Sequence, residues 1–299
     1  MKKTLFTILF SIILTTAGIS QNGDHNYGDE QEHFNHMGQI MNHNLVFPHI
    51  TMGQGYQTKL TLMNPGIGTD ITGTLFFYSQ DGSELQVNYQ DESVSSIQLT
   101  IPQGGFESII LGQPNESQTR AWAVFINNDD FSDHSELGHD MNGMFMGDHL
   151  FGGIIYSRYQ ETLVTQVGLM ATQFMDGMHM GFAIPVTNDQ NNVSGLVLLN
   201  SSETALVTEL TLKEKDGTVV FTKSLELAPG QQIVDIVANY FLEFNGITEF
   251  YGILELRSEF DGLVPLALVN TNGIQTAIPF VRIPDAMDML HDHGTGGMN

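Results

Sequence analysis

The sequence predicts an all-β protein made of two tandem immunoglobulin-like β-sandwich domains. Short runs of alternating apolar and polar residues recur from residue 45 onward, and each run ends at glycine, proline, asparagine or aspartate. Short strands separated by such turn residues are typical of β-sandwiches. The same succession of runs and turns occurs twice, with a period of roughly 130 residues, which suits one immunoglobulin-sized domain per copy.

Residues 1–20 are predicted to form a secretory signal peptide. Lys2 and Lys3 supply a charged region, residues 5–14 are apolar, and small residues precede an expected cleavage near Gln21. The apolar run is too short to span a membrane, and no second long run follows, so we expect no membrane insertion after cleavage. No cysteine is available for a lipid anchor. The expected location is therefore secreted, periplasmic or cell-surface.

Composition excludes several classes of function. The formal net charge is −24 and no basic patch is present, which makes nucleic acid and anionic membrane surfaces poor partners and cations better ones. The acidic surface equally fits a plain role in solubility, unless carboxylates cluster with other ligands. The chain has no cysteine, which excludes disulfides, thiolate nucleophiles, Cys-ligated zinc and blue-copper sites.

The chain divides into a repeated framework and the segments around it. A His-rich polar tail at 21–44 precedes the first sandwich, 45–170, which contains an insertion at 128–150. A Met-rich linker at 171–181 leads to the second sandwich, 182–284, and a His/Met-rich tail follows at 285–299. In the first sandwich, strands are predicted at 56–65, 73–78, 95–101, 106–111, 121–126, 153–159 and 162–169.

Corresponding motifs identify the two copies. Residues 195–200 match 59–64, the Asp216-Gly217 turn matches Asp81-Gly82, and residues 225–230 match 99–104. The order F-P, then G-Y-x-T-x-L-x-L-x-N-P, then G-T-L-x-F with D-G, then I-P-x-G-G, resembles a tandem sandwich repeat of exported bacterial proteins. The resemblance covers residues 45–283. It implies the fold and export, and it implies no activity.

Histidine and methionine are concentrated outside this framework. Of the eleven histidines, only His49 lies within it, and residues 141–147 (M-N-G-M-F-M-G) are echoed by residues 175–181 (M-D-G-M-H-M-G). Two glycines in such a heptapeptide suit neither a packed strand nor a packed helix. In the second copy a short hairpin at 259–262 replaces the insertion. We expect the insertion and the linker to lie close together, because both follow strands near the end of the first sandwich.

Thioether and imidazole groups together favour copper. Methionine prefers Cu(I) or the similar Ag(I), whereas histidine with carboxylate support suits Cu(II), Zn(II) or Ni(II). The spacings M-x-x-M-x-M and H-x-H resemble segments of exported copper-handling proteins, which implies a copper role. Calcium is a weaker candidate, because the oxygen-rich residues 127–133 lack EF-hand spacing. The candidate metal ligands are His134, His139, Met141, Met144, Met146, His149, Met175, Met178, His179, Met180, His291 and His293.

The sequence favours a binding protein over an enzyme. It has no H-E-x-x-H zinc motif, no G-x-S-x-G elbow and no phosphate loop. A metal-dependent oxidase built from the same clusters is a minor alternative. It would need a fixed His-rich copper site, which segments of this composition do not obviously provide. We therefore expect no enzymatic activity and a role in copper sequestration or handling. The alternative is a structural or adhesive cell-envelope module that binds protein or glycan through the sandwich faces, with no metal role. Met52, Met63 and Met170 are assigned to core or edge packing.

Overall fold

The computed structural model describes residues 44–65, 69–112, 117–128, 150–173, 180–241, 247, 249–258 and 262–284. These residues form twenty β-strands and one helix of four residues, so the all-β prediction is confirmed. Across the described ranges, no helix has the length and apolarity needed to cross a membrane.

Alternating sequence patterns correspond to strands in both halves of the chain. The predicted strands of the first copy correspond to β2, β3 and β6–β10, with ends that differ by at most two residues. The strands of the N-terminal half are β1 (Leu45–Met52), β2 (Tyr56–Met63), β3 (Ile71–Ser79), β4 (Val87–Tyr89), β5 (Glu92–Val94), β6 (Ser96–Ile101), β7 (Phe106–Leu111), β8 (Thr119–Asn127), β9 (Phe151–Gln160), β10 (Thr162–Met170) and β11 (Thr172–Gln173). Those of the C-terminal half are β12 (Met180–Asn188), β13 (Asn192–Asn200), β14 (Leu206–Glu214), β15 (Val219–Leu227), β16 (Gln232–Ile236), β17 (Phe250–Ser258), β18 (Leu263–Thr271), β19 (Ile274–Ile278) and β20 (Val281–Pro284), with helix α1 (Val237–Tyr240) after β16.

The N-terminal half contains two antiparallel sheets that share one apolar core. One sheet has the order β11-β1-β8-β3-β6, the other β10-β9-β2-β7, and β4 and β5 form a separate hairpin. Both sheets direct alternate side chains inward, so Leu60 and Leu62 of β2 meet Phe77 and Phe125 of the other sheet in the same buried cluster. This half is therefore sandwich-like, with its core between the sheets.

The C-terminal half repeats the same strand order. β20-β12-β17-β14-β15 corresponds position by position to β11-β1-β8-β3-β6, and β19-β18-β13-β16 corresponds to β10-β9-β2-β7. The two sets of strands are joined by a single β12–β13 pair, Asn188 with Val193. A second apolar cluster lies between them and is centred on leucines such as Leu198, Leu210 and Leu254.

The pairing differs from that of an immunoglobulin constant domain. There, the first strand pairs with the second, in the order ABED, and the seventh lies in the CFG sheet. Here β1 pairs with β8, and β2 lies between β7 and β9. The immunoglobulin-like fold therefore stays a prediction, and its resemblance to the observed structure lies in the two-layer arrangement of the sheets.

Equivalent turns in the two halves have the same local geometry. Gly82 and Gly217 both have positive φ, and the preceding carboxylates, Asp81 and Asp216, accept backbone N–H groups two residues on. These bonds help to lower the pKa of both carboxyls, together with side-chain hydrogen bonds that are the largest cause at Asp81. At the end of β13, buried Asn200 donates to the carbonyls of residues 204, 227 and 228, and Asn64 does the same to residues 69 and 101.

A third apolar cluster joins the two halves. Trp122 and its β8 neighbour Val124 pack with Leu199 and Val264 of the C-terminal half. Trp122 stacks on Tyr78 with ring centroids 4.4 Å apart, and burial, aided by Glu84, raises the pKa of Tyr78 to about 12. The junction is closed at its edge by Gln232, whose side-chain amide donates to the carbonyls of Pro48 at 2.6 Å and Ala121 at 3.0 Å.

Sequence patterns missed the β4–β5 hairpin and helix α1. The hairpin turns at Gln90 and Asp91, both with positive φ, instead of at the Asn-Gly or Asp-Gly pair that signals such a turn. Its two strands have only three residues each, too few to show alternation. Helix α1 is a single turn whose buried Val237 and Tyr240 belong to the core of the C-terminal half.

Candidate functional site

Most of the predicted metal ligands lie outside the described residues. Met180 is the exception as far as its backbone is concerned, since it begins β12 and pairs with Pro284. Those outside are His134, His139, Met141, Met144, Met146, His149, Met175, Met178, His179, His291 and His293. The described residues show where the segments that carry these ligands are attached.

The His-rich tail and the insertion are attached side by side. Asn44 follows the tail, and its side-chain oxygen accepts the backbone N–H of Asn127 at 3.1 Å, where β8 leads into the insertion. The next residue, Leu45, pairs with Phe125 on one side and on the other with Gln173, which lies in the first part of the linker and is its last described residue before position 180. Antiparallel pairing of β1 with β8 and β11 therefore places three attachment points on neighbouring strands.

The second end of the insertion and the start of the C-terminal tail are also attached at paired strands. The backbone N–H of Ala171 donates to the carbonyl of Gly152 at 2.8 Å, which places the strand that follows the insertion beside β11. In the C-terminal half, Met180 pairs with Pro284, so the linker ends where the tail begins. Every His/Met-rich segment thus begins or ends at one of these paired positions.

A groove of about 550 Å³ lies between the two groups of attachment points. Its N-terminal wall includes Leu45, Phe151 and Met170, and its C-terminal wall includes Phe280 and Arg282. Apolar residues dominate the lining, so groups held at its rim would lie at the edge of a low-dielectric surface. Within the described ranges, no three His, Asp or Glu side chains are grouped closely enough to hold a metal ion.

His49, the one framework histidine, is buried in the first core. Its Nε2 lies 2.8 Å from the hydroxyl of Thr51, its ring is tilted against Tyr156, and its backbone carbonyl accepts the Tyr156 hydroxyl at 2.6 Å. Burial, aided by the nearby charge of Arg120, lowers the pKa of His49 to about 3. His49 is therefore a neutral core residue, which fits its separation in sequence from the other ten histidines.

We expect His49 to make stability depend on pH. The folded pKa of about 3 lies below the value of 6.5 for an unperturbed histidine, so between these values only the unfolded chain takes up the proton. The contribution is complete above pH 6.5 and is lost as the pH falls, by about 1.4 kcal/mol per pH unit. Urea denaturation of the wild type and His49→Gln between pH 7 and pH 4 measures it. Parallel pH profiles for the two proteins would contradict this assignment.

An exposed apolar row, which the sequence pattern did not predict, lies on the outer face of the β10-β9-β2-β7 sheet. Met63 pairs directly with Phe106 on β7 and with Phe151 on β9, and these three residues, called the outer row below, are 37%, 63% and 40% exposed. Met52 is buried in the core, whereas Met170 is exposed at the end of edge strand β10, so both fit the predicted core or edge packing. Exposure depends on what covers a strand, which alternation alone does not show.

Known proteins add no identification to these observations. No model of a protein family matches the chain, and no curated protein matches it either.

Proposed function

We propose that the chain is an exported, non-enzymatic protein that binds copper through its His/Met-rich segments, for sequestration or handling of the ion. In this proposal two immunoglobulin-like sandwiches act as a scaffold, and the signal peptide at 1–20 directs the chain out of the cytoplasm. Zinc and calcium are less suitable ions, because methionine thioethers are soft ligands.

The observation that carries the proposal is the separation of ligand-type residues from the framework. Ten of the eleven histidines lie in the tails, the linker or the insertion, and so do the repeated M-x-G-M-x-M-G heptapeptides. The remaining histidine is buried and held neutral, and so belongs to the core. A framework that only needed solubility would gain nothing from thioethers and glycines arranged this way.

The attachment points support a site shared between segments. The 21–44 tail and one end of the insertion are attached at Asn44 and Asn127, which are joined by a hydrogen bond, and the linker begins beside them at Gln173. The linker ends against Pro284, where the C-terminal tail starts. A shared site gains from proximity, because a second segment binds an already held ion at a raised effective concentration.

A deletion of residues 131–149 tests the proposal. It leaves four residues between Asn127 and Phe151, the same number that connects Ser258 to Leu263 at the equivalent turn of the C-terminal half. We therefore expect the fold to survive and Cu(I) uptake in competition with a moderate chelator to fall sharply. Metal content and thermal unfolding of both proteins are the measurements. No uptake by the wild type would reject the metal role, and equal uptake by both proteins would show that the insertion is not part of the site.

A cell-envelope module is the second candidate, and the outer row favours it. Exposed aromatic residues grouped on one sheet face are typical of interaction surfaces. In that case protein or glycan would bind the face, and the His/Met-rich segments would have no metal role. The deletion separates the two candidates, since an envelope module would lose no metal affinity when residues 131–149 are removed.

A further inference from the structure

The outer row has a counterpart in the C-terminal half that is fully covered. Met63 at the end of β2 precedes buried Asn64, and Leu199 at the same place on β13 precedes buried Asn200. Leu199 pairs with Gln232 on β16 and with Val264 on β18, as Met63 pairs with Phe106 and Phe151.

The exposure of the two rows differs completely. Leu199, Gln232 and Val264 are each at most 3% exposed, because the N-terminal half lies against them through Trp122 and Val124. In the fold, the row of the second half is thus covered by the part of the chain that precedes it. The equivalent cover for the outer row would be whatever precedes β1.

The charge of the sheet that carries the outer row is also unusual for this chain. The protein has 34 acidic and 10 basic residues, yet the outer face of strands β2, β7, β9 and β10 carries the cation Lys59, which lies on the same face of β2 as Met63. The one carboxylate of these strands, Glu107, pairs with buried Leu62 and belongs to the inner face. Lys59 lies opposite Ile110, which is 52% exposed. An apolar and slightly basic surface on a protein of net charge −24 fits an acidic segment that contains apolar side chains.

We propose that residues 21–43 dock on this face, with their apolar side chains on the outer row. The segment has four carboxylates and no lysine or arginine, and its apolar residues include Tyr27, Phe34 and Ile40. It complements the face in charge and in apolar character. The docking is independent of metal and goes beyond the proposed copper role.

The attachment point gives the segment access to the row. It joins β1 at Asn44, and the next residue, Leu45, lines the same groove as Phe151 of the outer row. Fully extended, 23 residues reach about 75 Å, whereas three neighbouring strands span about 10 Å. The segment is therefore more than long enough to cross the row.

The protection of Met63 by residues 21–43 can be measured as its rate of oxidation by hydrogen peroxide. The reaction is run in the presence of a metal chelator and followed by mass spectrometry. We expect Met63 to oxidise at least roughly threefold faster when residues 21–43 are deleted, because thioether oxidation follows exposure. Buried Met52 is the internal reference and should keep its rate. Adding a peptide of residues 21–43 to the deleted protein restores protection, and high salt weakens that protection.

Matched variants locate the contact. Phe106→Ser, in the outer row, should prevent the peptide from protecting Met63, whereas Val219→Ser, at an exposed position of β15 in the other half, should not. Three results would overturn the assignment. They are an unchanged Met63 rate after deletion of 21–43, faster oxidation only after deletion of 285–299, or protection that depends on protein concentration and reflects a second copy.

Discussion

Replacing Met141, Met144, Met146, Met175, Met178 and Met180 with leucine is expected to weaken Cu(I) binding by a factor on the order of 100 or more. Loss of groups that merely orient a ligand costs 10- to 100-fold in affinity, and loss of the ligands themselves should cost no less. Leucine keeps the volume and apolar character of methionine but lacks the soft sulfur donor. A competition titration with a Cu(I) chelator gives the affinity directly.

Two controls make the result specific. Met63→Leu with Met170→Leu removes two exposed thioethers outside the repeated heptapeptides and should leave Cu(I) affinity unchanged. Changing His134, His139 and His149 to asparagine should weaken Cu(II) binding more than Cu(I) binding, because imidazole suits the harder ion. If the six-methionine variant binds Cu(I) with wild-type affinity, the heptapeptides are not part of the Cu(I) site.

Trp122→Ala is expected to lower the free energy of unfolding by about 3–5 kcal/mol. The indole is 1% exposed, stacks on Tyr78 and fills the junction between the halves against Leu199 and Val264. Its removal leaves a cavity that two sheets cannot close without moving. Trp122→Phe should cost less, because the ring can still stack on Tyr78 and the buried indole N–H, which has no hydrogen-bond partner among the described residues, is removed.

The repeat supplies a control for this variant. Tyr78 and Lys213 each precede the glycine of an Asp-Gly turn by four residues, and Trp122 and Ile253 pair with them. Ile253 is 39% exposed, so Ile253→Ala should cost under about 1 kcal/mol. Urea denaturation followed by circular dichroism compares all four proteins. A loss at Trp122→Ala as small as at Ile253→Ala would show that the junction does not stabilise the fold.

The faces around Ile253 and Trp122 also differ in charge. Around Ile253 the outer face of β14 and β17 carries Lys213 and Glu255, which form an ion pair at 2.6 Å, where the N-terminal half has Tyr78 and Val124. A charged face of this kind resists a further apolar contact, as the outer faces of terminal repeats do.

The sequence by itself determined the strands, the turns and the repeat. Period-two alternation is local, so β2 and β13 could be identified from residues 56–65 and 195–200, and Asp-Gly turns predict their own backbone geometry. It also separated the candidate ligands from the framework, because composition changes sharply at the insertion and the tails. The β4–β5 hairpin was missed because three-residue strands carry no period and Gln90-Asp91 is an uncommon turn pair.

Only the tertiary structure decided which strands pair and which rows are covered. Met63 and Leu199 occupy equivalent positions at the ends of similar strands, yet Met63 is exposed and Leu199 is buried, because only the second has a preceding half packed against it. The grouping of the attachment points at Asn44, Gly152 and Gln173, and the pairing of Met180 with Pro284, likewise result from contacts between strands distant in sequence. Long-range pairing leaves no local pattern, since each strand shows the same alternation whichever partner it has.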